Sequence, residues 1–146
     1  MTKKYDPRMH TAEHILNQTM DRLFNCGRCF SAHIEKKKSK CDYHFRRPLK
    51  EAEVNNIESQ VNQIIQDDVP VVEEWIPKEQ AKTEFNLDRL PEDGVDTIRV
   101  IRIGDYDACP CIGPHTARTS EIGRFRITTT TYENGVLRIR YRLHDE

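Results

Sequence analysis

Two pairs of side chains in this sequence have the spacing of metal ligands. Cys111 and His115 stand four positions apart in CPCIGPHTARTSEIG, residues 109–123, where two prolines and two glycines preclude a regular helix. A thiol and an imidazole on one short loop make half of a metal site. In HTAEH, His10 and His14 stand at i and i+4, which on a helix sets two imidazoles on one face, a turn apart. The four form a His3Cys set of borderline and soft donors that selects zinc over magnesium or calcium, which take oxygen. Either pair alone is compatible with incidental placement; their joint occurrence favours the metal. A competing set, Cys26, Cys29, Cys41 and His44, has finger-like spacing. Its weakness is CDYHF, which alternates as a strand and would point Cys41 and His44 to opposite sheet faces.

The elements that must position these residues can be read from periodicity. Asp6 before Pro7 is an N-cap with proline at the first helical position, and Ala12, Leu16, Met20 and Leu23 recur at helical spacing until Gly27. This predicts a helix over about 7–25. CFSAHI and CDYHF read as two short strands joined by a lysine-rich turn. A second helix is expected from Pro48 to near Asp68, with Ile57, Val61, Ile64 and Ile65 on one face. VVEEWI is expected as a strand, PKEQAK as a short helix, and DTIRVIRI as a strand leading into the CxxxH loop. RFRITTTTYENGVLRIRYRL then alternates about Asn134-Gly135, the strongest hairpin signal in the chain. The expected fold is α+β, one domain over 1–146, with a largely antiparallel sheet, two main helices and the zinc site between the first helix and the CxxxH loop.

At 146 residues the chain can close one core, and a second domain is not expected. The first residues carry no apolar run after their lysines, and no segment approaches the ~20 apolar residues of a membrane span. Five cysteines, an odd number without a secretory signal, read as free thiols or metal ligands, which places the protein in the cytoplasm, away from membranes. A net charge of −1 neither requires nor excludes a nucleic-acid partner, because clustering decides that, and clusters occur at EKKKSK and HFRRPLK.

The HxxxH helix, the distant CxxxH loop and the continuation HTARTSEIGRFRI together resemble the editing domain of alanyl-tRNA synthetase and its freestanding relatives, the AlaX proteins. The resemblance runs from the histidine helix to the C-terminal hairpin. Since the sequence starts almost at that helix, it resembles the short freestanding type. The second additional domain of threonyl-tRNA synthetases shares the architecture. The loop reads CIGPH where the synthetase domain usually has two glycines, and Thr119-Ser120 replaces the usual Thr-Gly pair.

The resemblance implies ATP-independent hydrolysis of mischarged aminoacyl-tRNA, above all serine on alanine tRNA. An aminoacyl ester is already activated, so the site need only hold its carbonyl near a water and stabilise the oxyanion. Four protein ligands would close the metal, so either one is displaced, His115 before His10, His14 and Cys111, or zinc positions the substrate while another group handles water. Asp105, Asp107 and Glu121 are the polar candidates for that group. By analogy with the family, Cys29 and Ser31, alternating onto one face after the histidine helix, are candidates for recognising the seryl hydroxyl. Lys36, Lys37, Lys38, Lys40, Arg46, Arg47 and Lys50, extended by Arg124 and Arg126, are expected to meet tRNA phosphates. Three alternatives remain open: editing of seryl-tRNA specific for threonine; a small metallopeptidase, since HTAEH also fits H-x-x-E-H with Glu13 as base; and a noncatalytic zinc-stabilised tRNA-binding module.

Overall fold

Asp6 opens the first helix, α1 (Pro7–Phe24), its carboxylate accepting from Met9 N at 3.1 Å with Pro7 at the first position. The helix stops at Phe24, three residues before Gly27, because Asn25 adopts a left-handed conformation (φ 52°) and closes the last turn onto Asp21 O. The computed structural model describes residues 6–85 and 96–145. The two short strands form an antiparallel hairpin, β1 (Ser31–Ile34) and β2 (Ser39–His44). Helix α2 (Glu51–Gln66) starts three residues after Pro48, where the Glu53 carboxylate reaches back to Lys50 N at 2.8 Å.

Strand β3 (Val71–Pro77), the short helix α3 (Lys78–Glu84) and strand β4 (Thr97–Ile103) follow where the sequence predicts them. A further strand, β5 (Asp107–Pro110), occupies the start of the segment expected to be loop, and a 3-10 turn covers Thr119–Ile122. The chain closes with the hairpin β6 (Arg124–Glu133) and β7 (Val136–His144), turning at Asn134 (φ 49°) and Gly135 (φ 81°).

The strands form two antiparallel sheets, in the orders β1-β2-β7-β6 and β3-β4-β5. Alternation in β7 sends Leu137, Ile139 and Tyr141 inward, where they meet Met9, Ala12, Leu16 and Met20 of α1 and Ile57, Val61 and Ile65 of α2 in one buried cluster. The architecture is thus α+β, with both main helices in the core formed with the larger sheet. The smaller sheet has its own cluster, Ile76, Ala81, Ile98 and Val100, under α3. No described helix is long and apolar enough to cross a membrane.

Candidate metal centre

Helix α1 and the loop after β5 bring the two ligand pairs together. The stretch from Met9 to Leu16 is buried apart from half-buried Glu13, so His10 (4% exposed) and His14 (3%) look inward although both are polar. The loop is delivered by the β4–β5 hairpin. Its turn uses Gly104 at φ 49°, where a Cβ would lie 2.5 Å from Val69 Cγ1. Beyond β5, Cys111 N still donates to Arg99 O, and the Arg99 guanidinium donates to Cys111 O (2.9 Å) and Gly113 O (2.8 Å). Thr11, between the two helix histidines, fastens the other end: its hydroxyl accepts from Thr116 N at 3.1 Å and bonds His115 Nδ1 at 3.0 Å.

One ligand atom from each of His10, His14, Cys111 and His115 lies within 4.8 Å of every other. His10 Nε2 is 3.3 Å and His115 Nε2 3.5 Å from Cys111 Sγ. The outer nitrogens face oxygens. His10 Nδ1 donates to Pro114 O (3.1 Å), His115 Nδ1 meets Thr11, and His14 Nδ1 faces Asp107 Oδ2 at 3.6 Å, just beyond a hydrogen bond, leaving that buried nitrogen unpartnered. Oxygen partners on the far side of ligating imidazoles fix the tautomer and raise ligand basicity. Burial would raise the Cys111 thiol, but hydrogen bonds from His10, His115 and His14 bring it down to about 3. Burial likewise opposes charge on His14, yet Asp107 and Cys111 lift that imidazole to about 10, while burial takes His115 down to about 4. A thiol drawn toward its anion beside an imidazole drawn toward its cation is a site whose proton a metal cation can replace, and the donor set fits a metal ion.

Asp107 is brought to the centre and Asp105 and Glu121 are not. The Asp107 side chain is fully buried, and its carboxylate accepts from Gln18 Nε2 (2.9 Å) and from both terminal nitrogens of Arg28 (2.8 and 3.2 Å). Against the cost of burial, His14 first and then the Arg28 guanidinium hold its carboxyl far below the usual range. Held by Gln18 and Arg28 with one oxygen facing His14, the Asp107 carboxylate is placed to orient that imidazole. Asp105 lies on the exposed β4–β5 turn and Glu121 on the exposed face of the 3-10 turn.

Cys29 is buried and donates from Sγ to Glu13 Oε2 at 3.4 Å, whereas Ser31 is exposed and opposite Asp42. The two do not share a face, because β1 begins at Ser31 and its alternation does not extend back to Cys29. The finger does not assemble among the described residues. Cys41 joins Cys29 and Glu13, Cys26 bonds the carbonyls of Met20 and Gly27, and His44 stacks on Phe30 with centroids 4.1 Å apart. Nor, among the described residues, does a second helix bring a third donor to the pair, as the metallopeptidase pattern needs; both further donors come from the loop.

Glu13 is the residue that the editing-domain resemblance left aside. Its Oε1 lies 3.6 Å from His10 Nε2, while Oε2 accepts from Cys29 Sγ and from Asn17 Nδ2 at 3.4 Å. The signal available in the sequence was its position three residues after His10 and four before Asn17, on the face of the ligands. Of the basic candidates, Lys36, Lys37 and Lys38 are exposed in the β1–β2 turn, as are Arg46 and Lys50; Lys40 is half-buried on β2. Arg47 is already engaged, its fork meeting both Glu53 oxygens at 2.8 Å.

Residues 98–140 match the family model described as the threonyl and alanyl tRNA synthetase second additional domain. Among curated proteins, alanine–tRNA ligase of Treponema denticola is 33% identical over 139 residues, 90% of this chain and 22% of the relative. The ligase of Halorubrum lacusprofundi is 37% identical over 136 residues, covering 89% of the chain and 14% of the relative. That of Cenarchaeum symbiosum is 32% identical, covering 92% and 15%. The chain thus spans under a quarter of the length of these relatives.

Proposed function

The chain belongs to the family of alanyl-tRNA synthetase-related editing domains, and from that premise we propose that it hydrolyses the ester of mischarged aminoacyl-tRNA, above all serine on alanine tRNA. His10, His14, Cys111 and His115 would hold a zinc ion at the site, in one domain acting in trans in the cytoplasm. The observation that carries this reading is the convergence of four ligand atoms from α1 and the β5 loop within 4.8 Å of one another. Zinc bound there would supply Lewis-acid stabilisation of the negative charge that develops on the ester carbonyl oxygen.

The chain's own residues do the rest. Cys29 and Asn17 hold Glu13 by Oε2, which leaves Oε1 directed at the ligand cluster. There it accepts the proton of the attacking water as oxygen adds to the carbonyl carbon. The ester C–O bond then breaks toward the terminal ribose, Glu13 returns the proton to the leaving ribose oxygen, and serine and uncharged tRNA result. Arg28 and Gln18 keep Asp107 fixed behind His14, so the imidazole stays in place through the cycle.

The count of four protein ligands favours one other reading, a closed structural metal site in a noncatalytic tRNA-binding module. A deacylation assay separates the two. The purified protein is expected to release serine from seryl-tRNA specific for alanine while leaving alanyl-tRNA largely intact. Release only from seryl-tRNA specific for threonine would reassign the substrate. Metal and tRNA binding without release would establish the noncatalytic module.

A further inference from the structure

The outward face of the larger sheet carries a charge pattern that neither core packing nor the metal centre requires. Because Leu137, Ile139 and Tyr141 of β7 point inward, Arg138, Arg140 and Arg142 point out. Register sets Arg140 directly opposite Lys40 of β2, and Arg142 directly opposite Arg126 of β6. Like charges facing each other across a ladder destabilise it. The same face shows what neutralisation looks like: Arg138 stands opposite Asp42 and grips both its oxygens at 2.8 and 3.0 Å. That contact first, with Lys40 and Arg140 nearby, holds the Asp42 carboxyl below its ordinary range. Among the described residues no carboxylate forms an ion pair with Lys40, Arg126, Arg140 or Arg142.

The lysine turn continues this face. Lys38 and Lys40 line a surface depression with Arg140, where the one carboxylate, Glu35, pairs with His33, and Lys36 and Lys37 line another with Arg142 and Arg8. The carboxylates of the second depression are occupied, Asp6 in capping α1 and Asp145 in pairing with Arg8. Arg8 precedes His10 by two residues, about 3 Å of helix rise. The cationic track therefore ends at the end of α1 that carries the metal ligands.

We infer that this sheet face and its lysine turn bind the phosphate backbone of an RNA duplex, which runs along the strands toward the Arg8 cleft; this rests on aminoacyl-tRNA being the substrate. Fixed cations on a rigid sheet, interleaved with Thr129 and Thr131 opposite Arg140 and Arg138, suit a polyanion with regular charge spacing. A membrane-binding surface needs apolar side chains to insert among its cations, and threonines stand in those places here.

The test is the binding of uncharged alanine tRNA to wild type, R140E/R142E and the α3 control K82E, by fluorescence anisotropy over a salt series. Each reversal sets a carboxylate opposite Lys40 or Arg126, so the melting temperature is expected to hold or rise. RNA affinity should fall about tenfold or more and the salt slope by about 2, near 0.9 per lost phosphate contact; K82E should match wild type. Unchanged affinity and slope in the folded double variant would overturn the inference. So would tighter binding of wild type to vesicles of phosphatidylserine and phosphatidylcholine than to tRNA, lost in the variant, which would make the partner a membrane. RNA binding lost in the variant, with no serine released by wild type, keeps this face and removes the editing reading. Serine release and RNA binding both equal in the two proteins remove the face and keep the editing reading.

Discussion

Thr11 is the residue whose removal best tests how the metal centre is built, because it ligates nothing and yet fastens the loop to the helix. Its side chain is fully buried between His10 and His14 in sequence and bonds Thr116 N and His115 Nδ1. Thr11→Val keeps the shape and deletes these two hydrogen bonds, along with a longer one from Thr116 Oγ1 at 3.4 Å that adds little. At about 0.5–1.5 kcal/mol each, the loss is about 1–3 kcal/mol, borne by the state in which the CxxxH loop is docked. A metal that requires the docked loop should bind about 10- to 100-fold more weakly, the range found for residues that orient ligands. The assay is a zinc titration against a competing chelator, paired with thermal melts with and without metal. The metal-induced rise in melting temperature should shrink in step with affinity, and Thr11→Ser, which restores the hydroxyl, should recover most of both. An affinity within threefold of wild type in Thr11→Val, with an unaltered melt, would show that the loop docks without this clamp and would refute the reasoning.

Two further outcomes follow from the same geometry. Metal analysis should find the ion lost in Cys111→Ala and retained in Cys26→Ala and Cys41→Ala, since Cys26 Sγ bonds the backbone carbonyls of Met20 and Gly27 and Cys41 sits in the neighbouring cluster with Cys29; the reverse pattern would move the site to the finger. Asp107→Asn should cost about 2–3 kcal/mol at pH 7 in the metal-free protein, discounted because the Arg28 side chain is 32% exposed. It should also flatten the acid limb. The folded carboxyl lies below its unfolded value of about 3.9, so its contribution is present above pH ~4 and lost as pH falls further; denaturant melts with the same pH dependence in variant and wild type would contradict this role.

Much of the molecule was legible because local chemistry decides it. Asp6-Pro7 caps α1, Asn134-Gly135 turns the last hairpin, and the alternation of Leu137, Ile139 and Tyr141 with arginines sets the faces of β7 whatever the rest of the chain does. The convergence of His10, His14, Cys111 and His115 was legible for a related reason: donor chemistry restricts residue types, and i, i+4 spacing on a helix is geometry before tertiary folding. The opposite faces of Cys41 and His44 followed from strand period alone.

What only the tertiary structure decided are relations between segments with no fixed sequence offset. Asp107 finds its partners Gln18 and Arg28 some 80 to 90 residues away in the chain, so nothing at 105–121 could mark it as the orienting carboxylate over Asp105 or Glu121. Thr11 became a clamp only when residues 115–116 arrived beside it, and Glu13 Oε2 was held away from the cluster only when Cys29 arrived to join Asn17 of its own helix. The pairing of Lys40 with Arg140 and of Arg142 with Arg126 depends on strand order and register. The sequence by itself determined which residues could ligate, cap, turn and alternate, because those properties act within a few residues. The fold decided which carboxylate, hydroxyl and cation stand next to them, because that depends on packing between segments far apart in the chain.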